Sequence, residues 1–564
     1  MSEKTQPLPK TQYAIQLVGP GKLRLNKKKT VHRPGPHQIV AKVEAVGLCF
    51  SDLKLLSQFT AHVRKSEIVS GLDLDALKEI PSYVPGTKPT VPGHEVVCRI
   101  VAVGPDVKHH KLGERCLVQA DYRQVRTAGA NAAFGYNIEG GLQEYVLMDE
   151  RIIVNPENGE RYMITVDDDL CASAVCLVEP WACVEDSYVS VERQTIKAGG
   201  KLVIVADAGR AVQGVADAFA PKGKPASVTA LCAEPTQLQA IKKLNIPVTE
   251  ATDLAALPNE SFDDIIYLGA RKATIEILND KLAACGLMNI VLGGKKIGEL
   301  VSVGVGRIHY GLTRWIGTTG TNAAESYKTI PRTGEVRPSE RIMVVGAGGP
   351  MGQMHVIRDV CTDIKDVSMT ATDLDDERLA ALSKKAQPLA EANGVNYRTV
   401  NTKTQKLDEE FTYIGLMAPV GALVAAAIQS SAQNALINIF AGIPAPTKHD
   451  LDLDRYIERR CYMFGTSGST MEDLRIVLRK VTAGDLDTNR SVDAVSGMAG
   501  AAAGMAAVEN RTLAGKIIVY PALHNVGLIP LHDMKDHYPS VAAKLDNGQW
   551  TKAAEQELLK VAKG

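Results

Sequence analysis

The spacing of apolar residues changes along the chain. Over the first 190 residues, short β-branched runs such as 38–45 and 96–103 are cut by Gly-Pro turns, which predicts a mostly β region. From about 200 to 515, apolar runs of four to six residues alternate with stretches of helical period. That alternation predicts βαβ units, in which a parallel sheet carries helices on both faces.

The βαβ region reads as a repeat. Lys201-Leu-Val-Ile-Val205 and Arg341-Ile-Met-Val-Val345 each run into a turn of small residues. Leu287-Met-Asn-Ile-Val-Leu-Gly293 resembles Leu436-Ile-Asn-Ile-Phe-Ala-Gly442 at an offset of 149, and Gly317-Thr-Thr-Gly-Thr321 resembles Gly465-Thr-Ser-Gly-Ser469 at 148. Two independent matches at nearly one offset indicate a duplication. The expected fold is α/β: a mostly β domain over 1–194, two tandem Rossmann-type doubly wound parallel sheets over 195–335 and 336–512, and a return to the first domain with a helical tail over 513–564. The segment 329–340, with two prolines, a glycine and several charges, is the expected linker.

Composition narrows the function. Among 564 residues, 64 Lys and Arg balance 64 Asp and Glu, so the basic footprint of a nucleic-acid binder is missing. The longest apolar runs, such as 434–443, are too short to cross a bilayer, and the polar stretch 1–10 has no apolar signal core, so no membrane partner is expected. Ten cysteines without a regular framework fit a reducing compartment, and the expected location is the cytoplasm.

Ile342-Met-Val-Val-Gly346-Ala-Gly348-Gly349-Pro-Met351-Gly352 reads as a buried strand, a glycine turn and a helix start. Such a turn lets backbone amides approach a pyrophosphate, whose charge the helix N-terminus favours. Asp373 closes the next strand, 21 residues past Gly352, where a carboxylate binds ribose hydroxyls and repels a 2′-phosphate, favouring NAD over NADP. Arg378 follows one helical turn later, placed to stack on adenine. The alternative role for Asp373 is a helix N-cap. The first copy has Ala206-Asp-Ala-Gly-Arg-Ala-Val212 at its turn and Cys232 where Asp373 stands, so it is expected to bind no dinucleotide.

Three upstream segments carry metal-ligand chemistry: Gly47-Leu-Cys49-Phe-Ser51-Asp52, Val91-Pro-Gly93-His94-Glu95 and Leu177-Val-Glu179-Pro180-Trp181. A thiolate, an imidazole and carboxylates that leave one position open suit a catalytic zinc. Taken singly, Cys49 also fits a small buried hydrophobe, His94 a structural turn residue, and Glu179 a charge at a helix start.

With these segments in order, the chain resembles the zinc-containing medium-chain dehydrogenase/reductases, in particular the sorbitol/polyol and sugar-phosphate dehydrogenase branch. The resemblance also rests on Gly140-Gly-Leu-Gln-Glu-Tyr145, Thr372-Asp373-Leu-x-x-x-Arg378-Leu379 and Ala514-Gly-Lys516-Ile-Ile-Val, and spans about 10–190 and 336–520. It implies a GroES-like catalytic domain in which Cys49 and His94 ligate Zn2+. Glu95 would be a ligand or lie just outside the ligand set, and Glu179 would be the fourth ligand or hold the metal-bound water. It further implies that Ser51 passes the alcohol proton outward and that Asp52 orients His94. The implied cofactor is NAD, the substrate a secondary alcohol or ketone of a small-molecule polyol, sugar or sugar phosphate, and the assembly a homo-oligomer. The alternatives are an NADPH-preferring sugar-phosphate ketone reductase and a non-catalytic nucleotide-sensing scaffold.

Two departures from the family follow. The segment 119–138, where many relatives carry a four-cysteine structural zinc lobe, has no cysteine, so one zinc per chain is expected. The interval from Cys49 to His94 is 45 residues, longer than usual, and its extra segment 58–89 holds His62, Arg64 and Lys65. That segment reads as a solvated basic loop or as a recognition element for phosphate.

Overall fold

The computed structural model describes residues 7–221 and 223–562, so the first six residues of the polar N-terminal stretch, and the last two of the tail, lie outside the described residues. The chain divides into two compact units, Met1–Ala182 with Ser469–Gly564, and Cys183–Gly468.

The discontinuous unit is built on an eight-stranded sheet. Gln38–Gly47, rich in valine and alanine and buried on both sides, pairs antiparallel with Glu95–Val103, Tyr145–Asp149 and Lys516–Val519. Val492–Ser496 lies parallel to Lys516–Val519 and antiparallel to Ile529–Pro530. These pairings correct the expected boundaries. The stretch 469–512 belongs to this unit and not to the second Rossmann-type sheet, because its strand completes the β sheet of the first domain. The first expected boundary also moves, since this unit's first segment ends at Ala182 and not at 194. The cysteine-free segment forms, with Ile68–Ser70 of the extra segment, a three-stranded sheet through Asp121–Thr127 and Asn131–Ala133.

The other unit holds two six-stranded sheets, each parallel throughout. The first is ordered Val248–Glu250, Ser227–Cys232, Lys201–Ala206, Phe262–Leu268, Leu282–Val291, Arg314–Thr318. The second is ordered Asn396–Asn401, Ser368–Asp373, Arg341–Val345, Phe411–Leu416, Ser431–Ile439, Tyr462–Phe464. Their apolar strands are buried on both faces, as parallel strands covered by helices require. One apolar core runs through both, from Val203 and Ile265 to Ile414 and Ile437.

Candidate metal centre and dinucleotide turn

Cys49 is the N-cap of the helix Phe50–Gln58, and Asp52, three residues on, reaches back to the Cys49 amide at 3.1 Å. The other Asp52 oxygen accepts from the Gly93 amide at 3.2 Å and meets His94 Nδ1 at 3.1 Å. One buried carboxylate therefore ties together the two segments that carry Cys49 and His94, and leaves the other ring nitrogen, Nε2, unused by Asp52. Gly93 has φ +95°, and a Cβ there would lie 2.9 Å from side-chain atoms of Leu142 and Val46, so the turn before His94 requires glycine. Burial opposes a charged His94 imidazole, but the charge and hydrogen bond of Asp52, with Cys49, hold it well above its ordinary value.

Cys49, His94 and Glu95 each offer a ligand atom, all within 4.8 Å of one another. Glu95 is fully buried at the start of its strand. Lys516 Nζ donates to its Oε1 at 2.5 Å, while Oε2 is buried without a hydrogen-bond partner. A Cβ on Gly47 would lie 2.0 Å from that same Oε2, so the glycine keeps its space open. A sulfur, a ring nitrogen and an unsatisfied buried carboxylate oxygen fit a zinc ion, since each would otherwise cost free energy to bury. Glu179 lies outside the 4.8 Å group but in its electrostatic neighbourhood. Burial pushes its carboxyl up to about 7, opposed by His94, reinforced by Glu95, and opposed further by Lys516 and Arg64.

Ser51 lies in the first turn of the Cys49 helix, and its carbonyl accepts from the Tyr136 hydroxyl at 3.4 Å. The Tyr136 ring centroid is 6.1 Å from that of His94 and 5.0 Å from that of His62, with the Arg64 guanidinium 5.7 Å from the ring. Sequence reasoning did not find Tyr136. Within the extra segment, Lys65 is not a solvated charge. Lys65 is fully buried and donates to the Val84 carbonyl and, at 2.9 Å, to that of Lys88, so its role is to fasten the segment. Burial, with the nearby Lys88 and against Glu139, brings its ammonium down to about 8. Arg64 keeps about a third of its side chain exposed and reaches Asp121 at 3.9 Å.

Two further residues lie far away in sequence: Lys516, read only as part of the closing motif and given no role, and Glu555, not singled out at all. Lys516, which fixes Glu95, follows Cys49 by 467 residues. Glu555, in the tail helix Lys552–Val561, accepts from the Ala172 and Ser173 amides at 2.7 and 2.8 Å. It thereby caps the helix Ala172–Cys176, which leads directly into the Val178–Val189 helix bearing Glu179. Five residues, 174–178, separate the capped Ser173 amide from Glu179 and leave little slack.

In the second Rossmann-type sheet, Gly346 has φ +80°, and Gly349 is the N-cap of the helix Pro350–Val360, with Pro350 and Met351 its first residues. A Cβ on Gly352 would sit 2.3 Å from the Gly346 carbonyl oxygen, and one on Gly348 would sit 2.7 Å from Arg378 Cβ. Asp373 accepts from the Gly348 amide at 2.9 Å and from Leu374 at 2.7 Å, so it braces the turn. The N-cap of the following helix Asp376–Ala392 is Asp375, which accepts from Glu377 and Arg378, so Asp373 has no capping role. Arg378 lies 3.8 Å from Asp375.

The first sheet is different at the same place. Among the described residues, the stretch between Lys201–Ala206 and Ser227–Cys232 holds no α-helix, only the short 3-10 turn Ala216–Ala218. Asp207 occupies the turn and accepts from Tyr267 at 2.8 Å and Arg271 at 2.6 Å, while Gln237 donates to the Asp207 and Arg210 carbonyls at 2.8 Å each. The helix start whose amides would face a pyrophosphate is thus lacking among the described residues of this turn.

Residues 35–157 match the alcohol dehydrogenase GroES-like domain. The uncharacterized protein YggP of Escherichia coli (strain K12) is 27% identical over 299 residues, covering 46% of this chain and 67% of that protein. The (R,R)-butanediol dehydrogenase of Bacillus subtilis (strain 168) is 25% identical over 181 residues, 30% of this chain and 44% of its own. An NADP-dependent alcohol dehydrogenase C of Mycobacterium tuberculosis (strain CDC 1551 / Oshkosh) is 27% identical over 148 residues, 22% and 36%. The chain thus spans less than half the length of the last two. The crystal structure of 2R,3R-butanediol dehydrogenase from Bacillus subtilis superposes with a TM-score of 0.50 at 14% identity, covering 91% of this chain and all of that one, which shows a shared fold. Among the described residues no helix is long and apolar enough to cross a membrane. With a GroES-like domain over 35–157, doubly wound parallel sheets and these relatives, the chain is similar to the medium-chain dehydrogenase/reductases.

Proposed function

We propose that the protein is a zinc-dependent oxidoreductase that moves hydride between NAD(H) and a secondary alcohol or ketone of a polyol, sugar or sugar phosphate in the cytoplasm. The observation that carries this reading is the cluster of Cys49, His94 and Glu95 ligand atoms within 4.8 Å, one of them a buried oxygen without a partner. Cys49 and His94 hold one zinc ion, with Glu95 as a ligand or just outside the ligand set. Glu179 is the fourth ligand or holds water at the open position. A zinc ion held there supplies Lewis-acid polarisation of the substrate oxygen. Asp52 holds the His94 ring by its Nδ1, which leaves Nε2 directed to the ion. Ser51, on the same helix turn, receives the alcohol proton and passes it outward. NAD is held at the turn by Gly346, Gly348, Gly349, Met351 and Gly352, with Asp373 on the ribose and Arg378 on adenine. Asp373 favours NAD by repelling the 2′-phosphate of NADP, and replacing it with serine is expected to improve NADPH use relative to NADH by at least tenfold.

Metal content and turnover test the reading together. The purified chain should carry about one zinc, and Cys49→Ala should lose both the zinc and turnover of butane-2,3-diol and polyols while keeping NADH binding by fluorescence. Turnover retained in Cys49→Ala, or a chain that takes up no zinc, overturns it.

A further inference from the structure

The two parallel sheets meet through one surface that is used twice. In the unit Cys183–Gly468, strand Val301–Val303 pairs antiparallel with His449–Leu451, in the register Val301↔Leu451, Ser302↔Asp450, Val303↔His449. The repeat offset in this part of the chain is 148, so Ser302 and Asp450 are the same position in the two copies. Exchanging the copies turns the first residue pair into the third.

The reciprocity continues around this point. A Cβ on Gly317 would lie 2.6 Å from Ile457, and one on its counterpart Gly465 would lie 3.1 Å from His309, itself the counterpart of Ile457. Glycine is needed at both positions for the same close approach. The Gly306 amide donates to the Thr447 carbonyl at 3.1 Å, and Asp454, the counterpart of Gly306, accepts from the Gly298 amide at 2.7 Å, one residue before Glu299, the counterpart of Thr447. Arg314 and its counterpart Tyr462 both donate to Glu192, at 2.7 and 2.6 Å. Contact of residue i with j and of j with i is the signature of an isologous, two-fold interface, which ordinarily joins two copies of a chain.

What the copies share also sorts by place. The irregular pairing after Phe262 recurs after Phe411, and positive φ at Cys285 and Leu312 recurs at Asn434 and Arg460. The amide of Cys285 donates to Gly311 at 2.7 Å, and that of Asn434 to Arg459 at 2.7 Å. These all lie on the half of each sheet next to the shared surface. The half that would bind a dinucleotide has lost its glycine turn and its helix in the first copy.

We propose that 195–335 is a second subunit carried within the chain: it occupies the edge through which two dinucleotide-binding sheets would pair, and it is kept for that contact alone. A second copy of the chain is therefore excluded from this edge, and the homo-oligomer expected from the family resemblance must use another surface.

The test uses the full chain. Lys448 and Asp280 lie 2.6 Å apart across the two copies and are both partly exposed, so a zero-length carbodiimide joins them. In an equal mixture of unlabelled and nitrogen-15 protein, co-refolded and then crosslinked, the Lys448–Asp280 peptide pair should carry one isotope only. A mixed-isotope pair at the level expected for random exchange means the copies pair between chains and overturns the proposal. The double variant Ser302→Cys/Asp450→Cys provides the second measurement. Oxidation should give a disulfide within one chain, running at single-chain mass on a denaturing gel whatever the mass of the native particle. A disulfide-linked dimer, or a folded variant with no disulfide, overturns it.

Discussion

Both sheets of Cys183–Gly468 run in the same strand order and bend at the same place, yet only one ends its first strand at the N-terminus of a helix. The difference shows how little of a doubly wound domain is devoted to its cofactor. Strand order, core and edge depend on buried aliphatic side chains spread over more than a hundred residues. The dinucleotide site depends on one glycine turn, one helix start and one carboxylate. In the first copy, Asp207 and Arg271 satisfy each other where phosphate oxygens would lie, so the sheet closes its own turn at no cost to its core.

The most forceful challenge to this contrast is a count of bound cofactor. NADH should bind once per chain, and Gly352→Val should weaken it by more than 100-fold, because the new Cβ would meet the Gly346 carbonyl at 2.3 Å. Two NADH per chain by calorimetry would end the distinction between the sheets.

A smaller effect comes from the helix that only the second sheet has. His355 on that helix is fully buried, its Nδ1 meets the oxygen of the Tyr188 hydroxyl at 2.8 Å while that hydroxyl donates to Asp359 at 2.9 Å, and the ring is brought down to about 3 by burial, with Arg358 adding to the shift. A base with its folded pKa depressed stabilises the fold above its unfolded value near 6.5, and that contribution is lost as pH falls toward the folded value. For one excluded proton the loss is about 1.4 kcal/mol per pH unit. Asp359, which accepts from the same Tyr188 hydroxyl and is pushed up to about 7 by burial, gains its proton in the fold and works in the opposite sense, so the two offset each other below pH 6.5; His355→Asn should leave the Asp359 contribution alone and make melting less sensitive to acid than in the parent chain. An unchanged profile in the variant would show that His355 is not the group responsible.

The smallest effect belongs to the closed turn. Arg271 is two-thirds exposed, so Arg271→Ala should cost about 1 kcal/mol or less and lower Tm by about 1–2 °C. NADH affinity should not change. A gain of a second NADH site would show that the Asp207–Arg271 pair, and not the missing helix, is what blocks the first copy.

Much of this was legible in the chain. The duplication shows as repeated strings at one offset, and the glycine turn, Asp373, and the set Cys49, His94 and Glu95 are local patterns with local chemical reasons. What stayed hidden depends on long-range closure. Nothing near Val492–Ser496 distinguishes a strand of the second sheet from one that returns to the first domain, because both are buried apolar runs. Lys65 reads as a surface charge until the backbone around Val84 and Lys88 supplies carbonyls to hold it. Asp375 and Asp373 compete for one helix cap in the sequence, and only the geometry of the turn separates them. Glu555 is one charge among many in the tail until it lands on the Ala172 and Ser173 amides.

The pairing of Lys516 with Glu95 has a consequence for the life of the chain on the ribosome. At about 5–20 residues per second, Cys49 and His94 leave the exit tunnel roughly 20–90 s before Lys516 is made. During that interval the strand that will fix Glu95 does not exist, while both sheets of Cys183–Gly468 are already being completed. A metal ion captured early would meet a thiol and an imidazole whose neighbouring carboxylate still points freely. The Glu95 side of the centre is thus completed only once Lys516 has been made.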